Sequence, residues 1–246
     1  MTERGRTQVE RTLDGLRIGP SSLHWDGNCL EICVRERAAP IPVPLRGTIR
    51  LYPETLTATP WHLDAARLHR WAPIAPFARV EVALQNPTLR WSGTGYLDSN
   101  HGDCALEQSF VRWDWSRSHG VSGGTDLLYD VTPRPTAARD AQGLNGDERR
   151  TLSLHIGRDG VGQTIATPPA RTLPATRVWR IPRATHAAEE DLGVRTTLED
   201  TPFYARSVLH SARTQRVMLH ESLDLDRFRS PWVRALLPFR MPRRAG

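Results

Sequence analysis

The sequence predicts an all-β protein, a sandwich or barrel of antiparallel strands with few short helices. Three observations carry that reading. Short runs alternate apolar with polar residues, 19 prolines and 18 glycines cut the chain into short segments, and little of it shows a helical period.

In chain order, Leu23 to Val34 sets Asp26-Gly27 between two alternating runs and reads as a β-hairpin. Gly47 to Leu51 is a strand candidate. Arg79 to Leu84 puts valines and leucine on one face and charge on the other, ends at Asn86-Pro87, and reads as a half-buried strand. Leu106 to Val111, Leu127 to Val131 and Leu152 to Ile156 are further strand candidates. Thr132 to Arg150, interrupted by prolines and glycines, suits an exposed loop. The best helical segment is Ser230 to Pro238, with a capping serine, a proline in the first turn and a proline at the end. Ser116 to Thr125, with its three glycines, reads as a junction between a domain of residues 1–118 and one of residues 119–246.

At 246 residues, with 39 % hydrophobic and 24 % charged side chains, the chain can bury one large core or two small ones. Its three cysteines form no Cys-x-x-Cys pair, which argues against a disulfide scaffold or structural zinc and favours a reducing cytoplasm. The formal charge is +6, and all 33 basic residues are arginine. Such a balance suits nucleic acid or an anionic membrane surface. With neither a zinc-finger spacing nor an RNP-like stretch, nucleic acid is not the expected partner. Nor is there an apolar run long enough to cross a membrane as a helix, or the apolar stretch of a signal peptide.

The chemistry concentrates between Trp91 and Arg117. Within Gly95-Tyr96-Leu97-Asp98-Ser99-Asn100, Tyr96 and Asp98 are two apart and share a face if the segment is a strand. Asp98 then has two readings. Facing an apolar lumen it would be held neutral and able to donate a proton; within a turn sequence it would only bond backbone groups. In Trp113-Asp114-Trp115-Ser116-Arg117 the tryptophans share a face and Asp114 points the other way, where an ion pair with Arg117 is expected. His69 and Trp71 also fall on one side of an extended segment. His101, Asp103 and Cys104 lack a recognised metal-ligand spacing. No glycine loop that cradles phosphate is visible, so no cofactor and no metal are expected.

The run Arg90 to Asn100, continued by Gly102, Leu106-Glu107 and Trp113-Asp114-Trp115-Ser116-Arg117, resembles the signature of the carotenoid 1,2-hydratases. The likeness extends through Trp71-Ala72-Pro73, Leu198 to Arg206, His220-Glu221-Ser222-Leu223 and Leu237 to Pro242. It implies two lipocalin-like barrels, the first lacking strands that family members carry upstream of the position matching Met1. It also implies a lyase that needs no cofactor and adds water to the terminal C1–C2 double bond of an acyclic carotenoid such as neurosporene or lycopene.

By the same resemblance Asp98 is the acid, Tyr96 the motif tyrosine, and His69 and Trp71 the upstream His-x-Trp pair. Trp71, with Tyr96, would stabilise a tertiary cation, and His69 would orient the attacking water. The substrate dissolves in lipid, so a cytoplasmic protein lying peripherally on the inner or intracytoplasmic membrane is expected. Trp232, Leu236, Leu237 and Phe239, interleaved with Arg234, Arg240, Arg243 and Arg244, are the expected contact. A carrier that binds a carotenoid or other terpenoid without transforming it is the competing reading.

Overall fold

The computed structural model describes residues 5–37, 41–57, 59–120, 123–135 and 149–237. Its strands are β1 (Val9–Arg11), β2 (Gly15–Ile18), β3 (Ser21–Trp25), β4 (Leu30–Arg37), β5 (Pro44–Thr55), β6 (Trp61–His62), β7 (His69–Asn86), β8 (Leu89–Gly102) and β9 (Phe110–His119). They continue with β10 (Thr125–Pro133), β11 (Arg150–Ile156), β12 (Gly162–Thr164), β13 (Ala170–Leu173), β14 (Arg183–His186), β15 (Gly193–Asp200), β16 (Tyr204–His210) and β17 (Val217–Asp224). The α-helices among the described residues are short: α1 (Leu106–Ser109), α2 (Leu225–Arg229) and α3 (Pro231–Leu236). All registered strand pairs are antiparallel. The all-β expectation holds.

The chain divides into two compact units. The first comprises the described parts of Met1–Leu56, Ala75–Leu97 and Arg234–Gly246, and the second Thr57–Ile74 and Asp98–Val233. This is not the division expected at residues 118 and 119. That boundary falls at the end of β9, which pairs with β10 along almost its whole length, so the glycines that follow close a hairpin rather than join two domains. Gly120-Val121-Ser122-Gly123-Gly124 also has the Gly-x-Ser-x-Gly spacing of a hydrolase elbow. That elbow links a strand to a helix, whereas this segment links two antiparallel strands.

In the first unit, β1 to β5 form a meander that continues to β7, and β8 folds back on β7. The Asp26-Gly27 hairpin forms as the sequence predicts: Gly27 takes a φ of +100°, and the Asp26 carboxylate accepts the amides of Asn28 and Cys29. The alternation of Arg79 to Leu84 also holds, with Val80 and Val82 buried and Arg79 exposed. Leu51, Ala75 and Ala78 make the local core, with Leu30 and Leu97 packed against them.

In the second unit a seven-stranded sheet runs β12-β11-β10-β9-β17-β16-β15, and β13 pairs with β14 in a small sheet of its own. The expected Leu106 to Val111 strand begins only at Phe110; Leu106–Ser109 form one helical turn. Four residues are too few for periodicity to tell a helical turn from a strand. Helix α2 also went unread in the sequence. It is capped by Asp224, whose side chain accepts the Arg227 amide at 2.9 Å. Most of the loop expected between Thr132 and Arg150 lies outside the described residues.

One face of the large sheet holds a buried polar network. Asp114 pairs with Arg112 at 2.9 Å, not with Arg117 as expected, because residues two apart share a face of β9 and residues three apart do not. Ser222 donates to Asp114, which leaves its lone pairs for His220 Nε2–H at 3.0 Å; His220 Nδ1 then accepts from Ser116 at 2.9 Å. His220, Ser222 and Ser116 are all buried, so this Ser-His-Asp grouping has no path to a substrate. It satisfies polar groups that burial would otherwise leave unpaired.

Burial, aided by the charges of Arg183 and Arg112, pushes the His220 pKa from 6.5 down to about 3. The unfolded chain therefore binds a proton below pH 6.5 that the folded chain refuses, and stability falls as pH drops from 6.5 towards 3. Burial acts on Asp114 in the opposite direction, raising its pKa against the pull of Arg112. Comparison with a His220→Gln variant isolates the histidine. From pH 7 to pH 5.5 the wild type should lose about 1.3 kcal/mol of unfolding free energy relative to the variant. Urea titrations at the two pH values measure it, and an unchanged difference would place the proton uptake elsewhere.

Candidate active site

Alternation along β7 buries His69 and Trp71 together, at 2 % and 0 % exposure, with Arg70 exposed between them. Trp71 reaches the next arm of the hairpin: its indole N–H donates to Asp98 Oδ2 at 2.8 Å. Asp98 lies half-buried on β8. The structure therefore joins two of the four expected site residues by a direct hydrogen bond and puts Asp98 on a strand rather than in a turn.

The ring of Trp71 meets Tyr129 of β10 edge-on, with centroids 5.1 Å apart. Tyr129 is buried, and its hydroxyl donates to Asn100 Oδ1 at 3.1 Å. Asp98 and Asn100, two apart in the motif, thus each accept a hydrogen bond from an aromatic side chain. Burial, reinforced by the charges of Asp98 and Glu221, raises the Tyr129 pKa, so the phenol remains a donor across the physiological range.

The sheet register brings Glu221 into this neighbourhood. Tyr129 pairs with Trp115, Trp115 with Glu221, and Glu221 with Arg206, so one row crosses β10, β9, β17 and β16 on one face. Trp113 extends the aromatic wall, its ring 5.7 Å from Tyr129. Burial raises the Glu221 pKa; Arg206, bonded at 2.9 Å, pulls it back, and the Asp98 charge adds to the rise. Asp98 and Glu221 are electrostatic neighbours around a buried phenol.

His69 faces other partners. Its Nδ1 is 2.6 Å from Asp64 Oδ2, its Nε2 is 3.8 Å from Cys104 Sγ, and its ring meets Phe110 edge-on at 4.9 Å. Both ring nitrogens are engaged, so the structure holds the imidazole as a fixed strut. Tyr96 is half-buried, keeps the Asp98 face of β8 by alternation, and belongs to the first unit.

Three partners were not read from the sequence: Asp64, Tyr129 and Glu221. Tyr129 carried a signal, as the one hydroxyl on an apolar strand face between Leu127 and Val131. Asp64 and Glu221 carried none beyond their charge. No group of three or more metal-ligating side chains occurs among the described residues.

The model of the carotenoid hydratase CrtC family matches residues 1–246. The chain belongs to that family. It is 49 % identical to the acyclic carotenoid 1,2-hydratase of Thiocapsa roseopersicina and 43 % identical to that of Rubrivivax gelatinosus, in each case over 100 % of the chain and 58 % of the relative. Against the enzyme of the same name from Cereibacter sphaeroides it is 38 % identical, over 100 % of the chain and 85 % of the relative. The chain thus spans just over half the length of the first two. A solved structure from Nitrosomonas europaea, described as AttH, superposes with a TM-score of 0.58 at 11 % identity. It covers 90 % of this chain and 73 % of its own, and supports a shared fold.

The strut in this CrtC family member is closely fitted. A Cβ on Gly102 would lie 2.8 Å from His69 Cδ2 and 2.9 Å from the Cys104 carbonyl. Gly102→Ala should therefore cost about 1–3 kcal/mol of stability by overpacking. Part of that cost should vanish when the ring is removed, so His69→Ala with Gly102→Ala should be less destabilised than the sum of the single changes by about 0.5 kcal/mol or more. Denaturant midpoints for the four proteins test this, and strict additivity would rule out the steric coupling.

Proposed function

We propose that this chain adds water across the terminal C1–C2 double bond of an acyclic carotenoid, with Asp98 as the acid. The observation that carries the reading is the Trp71 hydrogen bond to Asp98 Oδ2 amid buried aromatic rings. An acid whose Oδ2 accepts from the indole carries its transferable proton on Oδ1. The alkene electron pair takes that proton at C2 and leaves a tertiary cation at C1. Water then attacks C1, and its surplus proton returns to the Asp98 carboxylate, so the product is a tertiary alcohol and the acid is regenerated. No cofactor enters this sequence.

The aromatic neighbours suit a cationic intermediate, since ring faces attract positive charge by about 2 kcal/mol or more in a dry site. Glu221 lies near the same place, an acid that burial holds towards its uncharged form. His69 acts at one remove: held by Asp64 and Cys104, it fixes the start of β7 and with it Trp71. Neurosporene and lycopene fit the reaction because each ends in a trisubstituted alkene. A substrate that dissolves in lipid is collected from a membrane, which makes this a peripheral protein of the cytoplasmic side. No helix among the described residues is long and apolar enough to cross a membrane.

The test is expression in cells that accumulate lycopene or neurosporene. The wild-type chain should yield 1-hydroxy carotenoid, while Asp98→Asn should fold and retain pigment but lose about 10²–10⁴-fold in rate. Pigment retained by the wild type without a hydroxylated product would make the chain a carrier. Trp71→Phe separates the two roles of the indole. If the N–H orients the acid, kcat falls by about 10–100-fold at nearly constant KM; near wild-type turnover would assign the effect to the ring alone.

A further inference from the structure

Most large apolar side chains of the second unit have a packing reason for their position. The loop Thr176–Ile181 does not. Its base is buried, with Thr176 and Ile181 both at 0 % exposure, yet between them Val178 stands 70 % and Trp179 37 % exposed. Trp232 of α3, 49 % exposed, stacks on Trp179 with centroids 5.9 Å apart.

The tip is held out rigidly. The Thr176 amide donates to the Ile181 carbonyl at 3.0 Å, and the Ile181 amide returns to Thr176 Oγ1 at 2.8 Å. The Asp200 carboxylate accepts the amides of Val178 and Trp179 at 2.8 and 3.3 Å. Arg227 donates to the carbonyls of Trp179 and Arg180. Such a loop cannot fold its apolar residues inward without breaking these bonds.

The charges exposed at its tip are positive. Arg177 and Arg180 flank the apolar pair and are exposed, and Arg229 of α2 is exposed as well. None of the three forms an ion pair among the described residues. Asp200 is occupied by the two backbone amides, and Asp224 and Asp226 face Arg227 and Arg134.

We propose that the Arg177–Arg180 tip, with Trp232, docks on an anionic lipid surface. Stacked indoles sit at the level of lipid headgroups with their rings towards the acyl chains and their N–H groups towards water. Flanking guanidinium groups pair with the phosphates. Size discriminates between lipid and protein. A stable protein interface takes about 800 Å² from each partner, whereas two indoles and a valine offer only a few hundred, at about 150–250 Å² for each indole. The tip is too small for such an interface and large enough to reach the boundary of the acyl region. The inference rests on the proposed function only for its purpose, access to a substrate dissolved in lipid.

Flotation of the full chain with vesicles that contain no carotenoid tests the docking apart from the hydration. Vesicles of mixed phosphatidylglycerol and phosphatidylcholine should carry the wild type, and phosphatidylcholine alone should carry at least tenfold less. Val178→Ser with Trp179→Ser should lower the partition by tenfold or more, and Arg177→Gln with Arg180→Gln should abolish the preference for phosphatidylglycerol. Brominated lipid should quench wild-type tryptophan emission, with the quenched fraction falling in Trp179→Phe. Equal flotation of wild type and the Val178/Trp179 variant overturns the proposal. So does a wild-type dimer in sedimentation that the same variant dissociates, since the tip would then be a contact between copies.

Discussion

Alternation along β9 is the constraint from which both halves of the second unit's chemistry follow. Trp113 and Trp115 point to one face and Asp114 and Ser116 to the other, and the strands on either side keep the same register. On the first face this collects Tyr129 and Glu221 beside the tryptophans, and Trp71 and Asp98 meet that wall through Tyr129. On the second it collects His220, Ser222 and Arg112 around Asp114. A register error of one residue would exchange the two sets and bury the wrong chemistry on each side.

Desolvation treats the two faces alike in one respect. Glu221 and His220 are consecutive on β17 and point in opposite directions, yet burial drives both towards the uncharged form, the acid upwards and the base downwards. On the back face the result is structural: a neutral imidazole bridges two serines. On the front face the same physics sets an acid beside another acid. The difference lies in the neighbours, hydroxyl groups in one case and aromatic rings with a second carboxyl in the other.

Much of this was legible where the cause is local. The Asp26-Gly27 turn, the alternation of β7 and the strand that carries Tyr96 and Asp98 depend on a few adjacent residues, and each formed as read. The pairing of Trp71 with Asp98 was not a matter of local spacing. The likeness to the hydratases placed both residues in one site, and only the structure showed the indole N–H as the link. Asp114 was assigned to Arg117 because charge was counted along the chain, while Arg112 lay on the same face. The glycines after Ser116 were read as a junction because a tight hairpin and a linker have the same composition. Tyr129 and Glu221 escaped notice because distant strands bring them to the site, through a register that no short segment encodes.

The bond between Trp71 and Asp98 joins the two arms of a single hairpin. Its accuracy therefore depends on how β7 and β8 are measured against each other from their shared turn. Tyr96, Asp98 and Asn100 all present the same face, so a slip of two residues would keep every apolar contact in phase and set a phenol or an amide before the indole instead of an acid. The fold would tolerate such a change and the chemistry would not. The length of the connection between β7 and β8, far from the carboxyl it delivers, is thus as much a part of the proposed site as that carboxyl.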